Sequence, residues 1–183
     1  MERIQLTYPE LIVPEDKVKY KGQKSRTDNE APYTLRRLTE AEIPAALSLA
    51  WEVFSEYESP EYSKEGTEEF RRCLHDETYL AGITYYGAFD RETLIGEIGI
   101  RPRQRHICFF FVKGSYHRKG IGTKLFQYLL HNDPGPITLN SSPYGLPFYQ
   151  ALGFRLTDKE QTVNGIRFTP MEYRSNTDSE DTK

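Results

Sequence analysis

The sequence lacks most features of secreted, membrane and metal-binding proteins. It has only two cysteines, Cys73 and Cys108, and we expect two buried or half-buried thiols rather than a disulfide, as in a reducing cytoplasm. The four histidines are scattered, so no metal site is predicted. No apolar run approaches the roughly 20 residues of a membrane span. The first residues also lack the basic-then-apolar pattern of a signal peptide, so a cytoplasmic location is expected.

An excess of positive charge is also missing. Lys and Arg total 24 against 27 Asp and Glu, which gives a formal net charge of −3. That balance, without a basic stripe, argues against nucleic acid or an anionic membrane as the main partner. The length of 183 residues suits one domain with its own hydrophobic core.

A glycine-containing turn stands between a predicted strand and a predicted helix. The apolar run 107–112 leads to His117, Gly120 and Gly122, and a helix-like pattern follows from Thr123. The first N–H groups of a helix have no intrahelical partner and lie at the positive end of its dipole. Such a turn favours a phosphate-bearing ligand.

The spacing of this turn excludes two common phosphate loops. A dinucleotide fingerprint needs glycine or alanine three residues after its second glycine, where this sequence has Leu125. A Walker loop needs lysine directly after its last glycine, whereas Lys119 here precedes Gly120.

A second motif follows at residues 137–154. It contains a predicted strand with Asn140, a short predicted helix with Phe148 and Tyr149, and then Leu-Gly-Phe ending at Phe154. The glycine turn and this segment together resemble the two signatures of the GCN5-related N-acetyltransferase family. The resemblance extends by pattern over roughly residues 33–173. It departs from the family at His117, where Gln or Arg is usual.

The resemblance and the order of predicted elements imply the family's α/β (α+β) fold. We expect a mixed central sheet of about six to seven strands with helices on both faces, formed by residues 33–173. Residues 1–32 are predicted to be a flexible extension or an added edge strand, and residues 174–183 a disordered acidic tail. Dimers are common in the family, so a homodimer is left open.

The resemblance implies acetyl-CoA as the acyl donor and no metal. It sets the pantetheine arm along the strand that ends at Phe111 and Val112, and the pyrophosphate on the glycine turn. The solvated end of a helix is the alternative role for the basic residues, and helix capping is the alternative for Ser142. The implied cofactor-binding residues are Phe111, Val112, His117, Arg118, Lys119, Gly120, Ile121, Gly122, Thr123, Lys124, Asn140, Ser142, Phe148 and Tyr149.

The catalytic residues implied are Tyr149, His106 and Asn140. Tyr149 matches the tyrosine that protonates the coenzyme A thiolate in many members, and a phenol of pKa ~10 suits that task. His106 is a candidate general base, with Glu97 or a water chain as rivals. Alternation of period two predicts that residues 106, 108, 110 and 112 share one face of their strand.

The expected activity is acetyl transfer to a primary amine by direct attack in a ternary complex. Residues 51–69 are rich in glutamate and aromatic side chains, which favours a small cationic amine, although a solvated helix face also explains most of the glutamates. A protein or peptide N-acetyltransferase and a non-catalytic acyl-CoA sensor are the alternatives. An acetyl-cysteine intermediate at Cys108 has little support, because a mid-strand cysteine is usually a small buried hydrophobe.

Overall fold

The computed structural model of the protein describes residues 33–174, in which eight strands form a mixed sheet with helices on both faces. This confirms the predicted fold class, and the predictions for residues 1–32 and for the tail after Arg174 lie outside the described residues. The strands are β1 Thr34–Arg37, β2 Thr84–Asp90, β3 Thr93–Arg101, β4 His106–Val112, β5 Ile137–Ser141, β6 Arg155–Leu156, β7 Gln161–Val163 and β8 Ile166–Tyr173. The helices are α1 Ile43–Val53, α2 Lys64–Cys73, α3 Glu77–Leu80, α4 Ile121–Asn132 and α5 Leu146–Ala151. Among these residues, each helix is too short or too polar to cross a lipid bilayer.

The sequence prediction did not include helix α3 or strand β7, and both are short. The helix has 4 residues and the strand has 3, so neither is long enough to show a hydrophobic period. A capping box does mark the start of the helical segment that leads into α1. The backbone N–H and the hydroxyl of Thr39 both donate to the Glu42 carboxylate, at 2.9 and 2.8 Å.

One strand pair shapes the centre of the sheet. The strand order is β1-β2-β3-β4-β5-β8-β6, with β7 paired to β8, and β4–β5 is the parallel pair among the described strands. Their pairing joins His106 to Thr138 and Ile107 to Leu139 and ends there. The β5-side edge of residues 108–112 therefore has no strand partner in the described structure. A gap opens in the sheet beside the second half of β4.

Cys108 forms a bulge in β4. Its neighbours Ile107 and Phe109 pair with the consecutive β3 residues Ile100 and Gly99, so Cys108 is the extra residue on its strand. Such a residue breaks the alternation of side chains between the two faces.

The bulge contradicts the predicted common face of residues 106, 108, 110 and 112. Cys108 packs with the core beneath α1, whereas Phe110 and Val112 pack with the core beneath α4. That prediction was wrong because period-two reasoning assumes an uninterrupted strand.

A close backbone contact joins α2 to the β7–β8 turn, and it predicts an unusual response to mutation. A Cβ on Gly66 would overlap the carbonyl oxygen of Gly165. At a solvent-exposed helical position, replacing Gly by Ala usually raises the free energy of unfolding by about 0.5–1 kcal/mol. At Gly66 we expect the free energy of unfolding in urea to fall by about 1–3 kcal/mol, because backbone must move. Glu68→Ala, at an exposed position of the same helix, is the control and should change it by under about 0.5 kcal/mol. A stabilised Gly66→Ala would show that the turn does not pack on α2.

Candidate active site

Two cavities meet beside the second half of β4. The first, of about 490 Å³, opens at the N-terminus of α4, and we call it the turn cavity. The second, of about 280 Å³, lies between β4 and the β7–β8 hairpin, and we call it the roofed cavity. Four residues line both cavities: Glu58, Phe110, Phe111 and Tyr149. A reaction between ligands in the two cavities would take place at these residues.

The turn cavity ends on unpaired backbone N–H groups. Arg118 and Gly120 both have positive φ angles, 58° and 78°, and Gly120 is the N-cap of α4. Because glycine has no side chain, it cannot cap the first turn, so the N–H groups of Ile121, Gly122 and Thr123 remain available. Alternation of helical and left-handed residues is the geometry of an anion-binding nest.

The basic residues predicted at the turn differ in position. Arg118 lines the turn cavity, whereas Lys119 and Lys124 are exposed outside its wall. The Nζ atom of Lys119 lies 4.9 Å from the centre of the Tyr116 ring. Arg118 is therefore the basic side chain with direct access to a ligand in the cavity.

His117, the departure from the family motif, has a structural role in the wall. Its Nε2 lies 2.6 Å from the carbonyl oxygen of Val112, and since a carbonyl only accepts, Nε2 carries the proton. Its ring also packs 4.8 Å from the ring of Tyr57. His117 thus fixes the end of β4 against the segment after α1.

Phe148 covers the inner side of the glycine turn. A Cβ on Gly122 would lie 2.8 Å from its ring, so Gly122 lets α5 approach α4. The Phe148 ring also contacts Phe110 and Tyr149, each at 5.4 Å between centroids. The aromatic wall of the turn cavity is continuous with the candidate catalytic tyrosine.

Tyr149 lies where the two cavities join. Its half-buried ring packs against Phe110 at 6.0 Å and Phe154 at 5.7 Å. Removal from water raises the pKa of its phenol, and the negative charge of Glu58 raises it further. The phenol therefore stays protonated at neutral pH and can donate to an anion.

Glu58 is the site residue that the sequence reasoning did not single out. It ends a π-helical turn, Phe54–Glu58, that continues α1, and such turns are frequent at functional sites. Its carboxyl accepts a hydrogen bond from the hydroxyl of Ser142, whose oxygen in turn accepts from the Gly145 N–H at 3.1 Å. Burial raises the pKa of Glu58 to about 7, and the Ser142 bond limits the rise. A carboxyl with this pKa can gain or lose a proton at neutral pH.

His106 and Asn140 both line the roofed cavity. The Nδ1 of His106 lies 2.9 Å from the hydroxyl oxygen of Thr138, and burial, with the charge of Arg101, lowers the pKa of its imidazole. His106 stands at the start of β4, six residues or about 20 Å of strand from Val112. Asn140 is exposed in this cavity, at the end of β5 near Ser142.

Glu97 and Cys108 are poorly placed for chemistry. Glu97 is fully buried on β3, its carboxyl has no hydrogen-bond partner, and it lines neither cavity. Burial raises its pKa well above the usual range, so its carboxyl is neutral. Cys108 does line the roofed cavity, but burial raises the pKa of its thiol to about 11 despite a 3.0 Å bond from Arg101. A protonated thiol is a weak nucleophile.

The β7–β8 hairpin covers the roofed cavity. The Tyr62 hydroxyl donates to the Arg167 carbonyl at 2.8 Å, and the Asn164 side-chain amide donates to the Glu69 carboxylate at 3.2 Å. With the Gly66–Gly165 contact, these bonds join the hairpin to α2 and the turn before it. The hairpin therefore forms a fixed roof over one side of this cavity.

Comparison with known proteins identifies the arrangement. The model of the Acetyltransferase (GNAT) domain family matches residues 58–175, which is more than half of the chain. No curated protein matches the sequence. The matched region contains the glycine turn, Tyr149 and Glu58.

Solved structures share the fold at low sequence identity. A GCN5-related N-acetyltransferase from Rhodopseudomonas palustris is 19% identical, with a TM-score of 0.67 over 78% of this chain and 95% of its own. The PaiA N-acetyltransferase from Thermoplasma acidophilum, solved with coenzyme A, is 21% identical, with a TM-score of 0.63 over 78% and 99%. An aminoglycoside 6'-N-acetyltransferase, also complexed with coenzyme A, is 16% identical, with a TM-score of 0.53 over 77% and 96%.

Proposed function

This chain belongs to the GNAT acetyltransferase family, and from that premise we propose that it transfers an acetyl group from acetyl-CoA to the primary amine of a small molecule. The transfer is direct, within a ternary complex. The observation that supports this most is the meeting of the two cavities at Glu58 and Tyr149. One cavity has an anion-binding turn for the donor, and the other offers a roofed space for the acceptor.

The turn cavity suits the pyrophosphate and the pantetheine arm of coenzyme A. The free N–H groups at the start of α4 and the Arg118 side chain would hold the pyrophosphate. The unpaired edge of β4 would bind the pantetheine arm as an added strand does. This arrangement leads the thioester to Val112, whose N–H would stabilise the oxyanion. The His117 bond to the Val112 carbonyl holds the next peptide unit, at the end of β4.

Glu58 and Tyr149 supply the proton transfers. Glu58, as carboxylate, takes a proton from the ammonium group of the acceptor, directly or through water. The neutral amine attacks the thioester carbon, the carbon–sulfur bond breaks, and Tyr149 donates its phenolic proton to the departing sulfur. The attacking nitrogen loses its second proton to water as the amide forms, and solvent reprotonates the Tyr149 phenolate. Glu58 is preferred to His106 as base because it lies within electrostatic reach of Tyr149, whereas His106 is at the far end of β4.

The roof over this cavity favours a small acceptor over a protein. A peptide chain needs an open groove, and the hairpin, bonded to α2 and to the turn before it, covers one side of the cavity. A pure acyl-CoA sensor would need no second cavity and no titrating carboxyl beside Tyr149. These features support catalysis.

Initial-rate kinetics tests the proposal. We expect release of free coenzyme A from acetyl-CoA to depend on an added amine, and double-reciprocal plots to intersect, as a ternary complex requires. Mass spectrometry of the enzyme with acetyl-CoA alone should show no acetyl adduct. Parallel plots with an adduct on Cys108 would contradict direct transfer. Tight acetyl-CoA binding without amine-dependent release from a broad panel would favour the sensor.

A further inference from the structure

The roofed cavity has a single carboxyl without an ion-pair partner, that of Glu58, and it lies where this cavity joins the turn cavity. Glu69 also lines the cavity, but it pairs with Arg72 and accepts from the Asn164 amide. None of the ion pairs within residues 33–174 involves Glu58, which is bonded to Ser142. The cavity therefore has a site for one ammonium group, next to Tyr149.

The walls beyond Glu58 combine aromatic rings with polar side chains. Phe70 stacks on Phe54 with ring centres 4.0 Å apart, and its edge contacts Phe109 at 6.4 Å and Phe111 at 5.9 Å. Phe168, on β8, also lines the cavity. Because other rings hold Phe70 in place, it presents a fixed aromatic surface that suits a flat apolar group, since aromatic pairs gain from stacked and edge contacts.

The cavity lacks a partner for an anion. Among the described residues that line it there is no Lys or Arg, and His106 is the imidazole present. Burial and Arg101 lower the pKa of His106, so it is neutral at pH 7. A carboxylate on the acceptor would be buried without a counter-charge, and so would a second ammonium group, since Glu69 is already paired.

We propose that the acceptor is a monoamine on a flat apolar body, of the arylalkylamine class, without a carboxylate. Its ammonium group lies at Glu58 and its ring lies between Phe70 and Phe168. This inference rests on the proposed function, and it excludes amino acids, polyamines and polyhydroxylated aminoglycosides as preferred substrates.

Three matched amines test it through kcat/KM at pH 7.5. 2-Phenylethylamine is the expected substrate, phenylalanine adds only a carboxylate, and spermidine replaces the ring by further ammonium groups. We expect 2-phenylethylamine to exceed each of the others by about 100-fold or more, since an unpaired buried charge is costly. In Phe168→Leu, the KM for 2-phenylethylamine should rise about three- to tenfold with the KM for acetyl-CoA unchanged. Equal or better turnover of phenylalanine or spermidine would overturn the inference and leave the proposed function intact.

A binding measurement separates the two proposals. Calorimetric titration of 2-phenylethylamine into protein loaded with coenzyme A should show one site, weakened in Phe168→Leu. If no amine is turned over but this binding is present, the acceptor class stands and the catalytic proposal fails. If 2-phenylethylamine neither binds nor reacts, the acceptor class is wrong.

Discussion

Tyr149→Phe should lower kcat by about 100-fold or more and leave the KM for acetyl-CoA within about threefold of the wild-type value. The substitution removes the phenolic O–H and keeps the ring that packs on Phe110 and Phe154. Positioned acids contribute 10²–10⁴ in rate, and a thiolate of pKa ~8.5 is a moderate leaving group, which places the effect near the lower bound. Steady-state release of coenzyme A with a saturating amine measures it.

Tyr173→Phe is the matched control for this experiment. Tyr173 packs against Phe154 at 5.6 Å, within the same aromatic cluster, but it lines neither cavity. The Tyr173→Phe variant should have a kcat within about twofold of the wild-type value. A Tyr149→Phe enzyme with a kcat within threefold of wild type would show that the thiolate leaves without an acid from this residue.

The fold was predicted from the sequence, and so was the glycine turn between β4 and α4, for a local physical reason. The N-cap glycine and the free N–H groups at the start of α4 depend on residues adjacent in the chain. The edge of β4 next to this turn is formed by the residues that directly precede it in the chain. Because the proposed phosphate binding there uses main-chain N–H groups, it does not require the family's Gln or Arg at the position of His117.

The acceptor side could not be predicted to the same extent, because it depends on packing and on single-residue insertions. The bulge at Cys108 turns half of β4 to the other face, and nothing in the apolar run 107–112 marks it. The sequence between residues 51 and 69 has seven glutamates, none distinguished by its neighbours. A π-helical turn, which depends on tertiary packing, brings Glu58 alone to Ser142 and Tyr149.

Glu58→Gln should lower kcat/KM for the amine by about 100-fold at pH 8 and move the acidic limb of its pH profile up to the pKa of the amine itself. The wild-type carboxyl has a pKa of about 7, so below pH 7 it is protonated and cannot accept a proton from the acceptor. Wild-type kcat/KM should therefore fall tenfold per pH unit below about pH 6.5. The glutamine variant keeps the Ser142 hydrogen bond but has no base to deprotonate the ammonium group. Its kcat/KM should therefore follow the fraction of free amine and rise through pH 7 and 8 without the wild-type plateau. His106→Gln, a change at the other candidate base, should retain the wild-type break near pH 7.

Stability gives a readout of Glu58 that does not depend on turnover. Its folded pKa of about 7 lies above the unfolded value of about 4.3. Between these values the folded state binds more protons than the unfolded state, so this residue makes the free energy of unfolding decrease as pH rises from about 4.3 to 7. Glu58→Gln removes that contribution. In urea unfolding, the free energy of unfolding of the variant should therefore increase relative to that of the wild type as pH rises over this interval. If the difference between the two proteins is constant from pH 5 to 8, Glu58 titrates normally in the folded protein. It would then be a solvated carboxylate, and the base would have to be His106 or water.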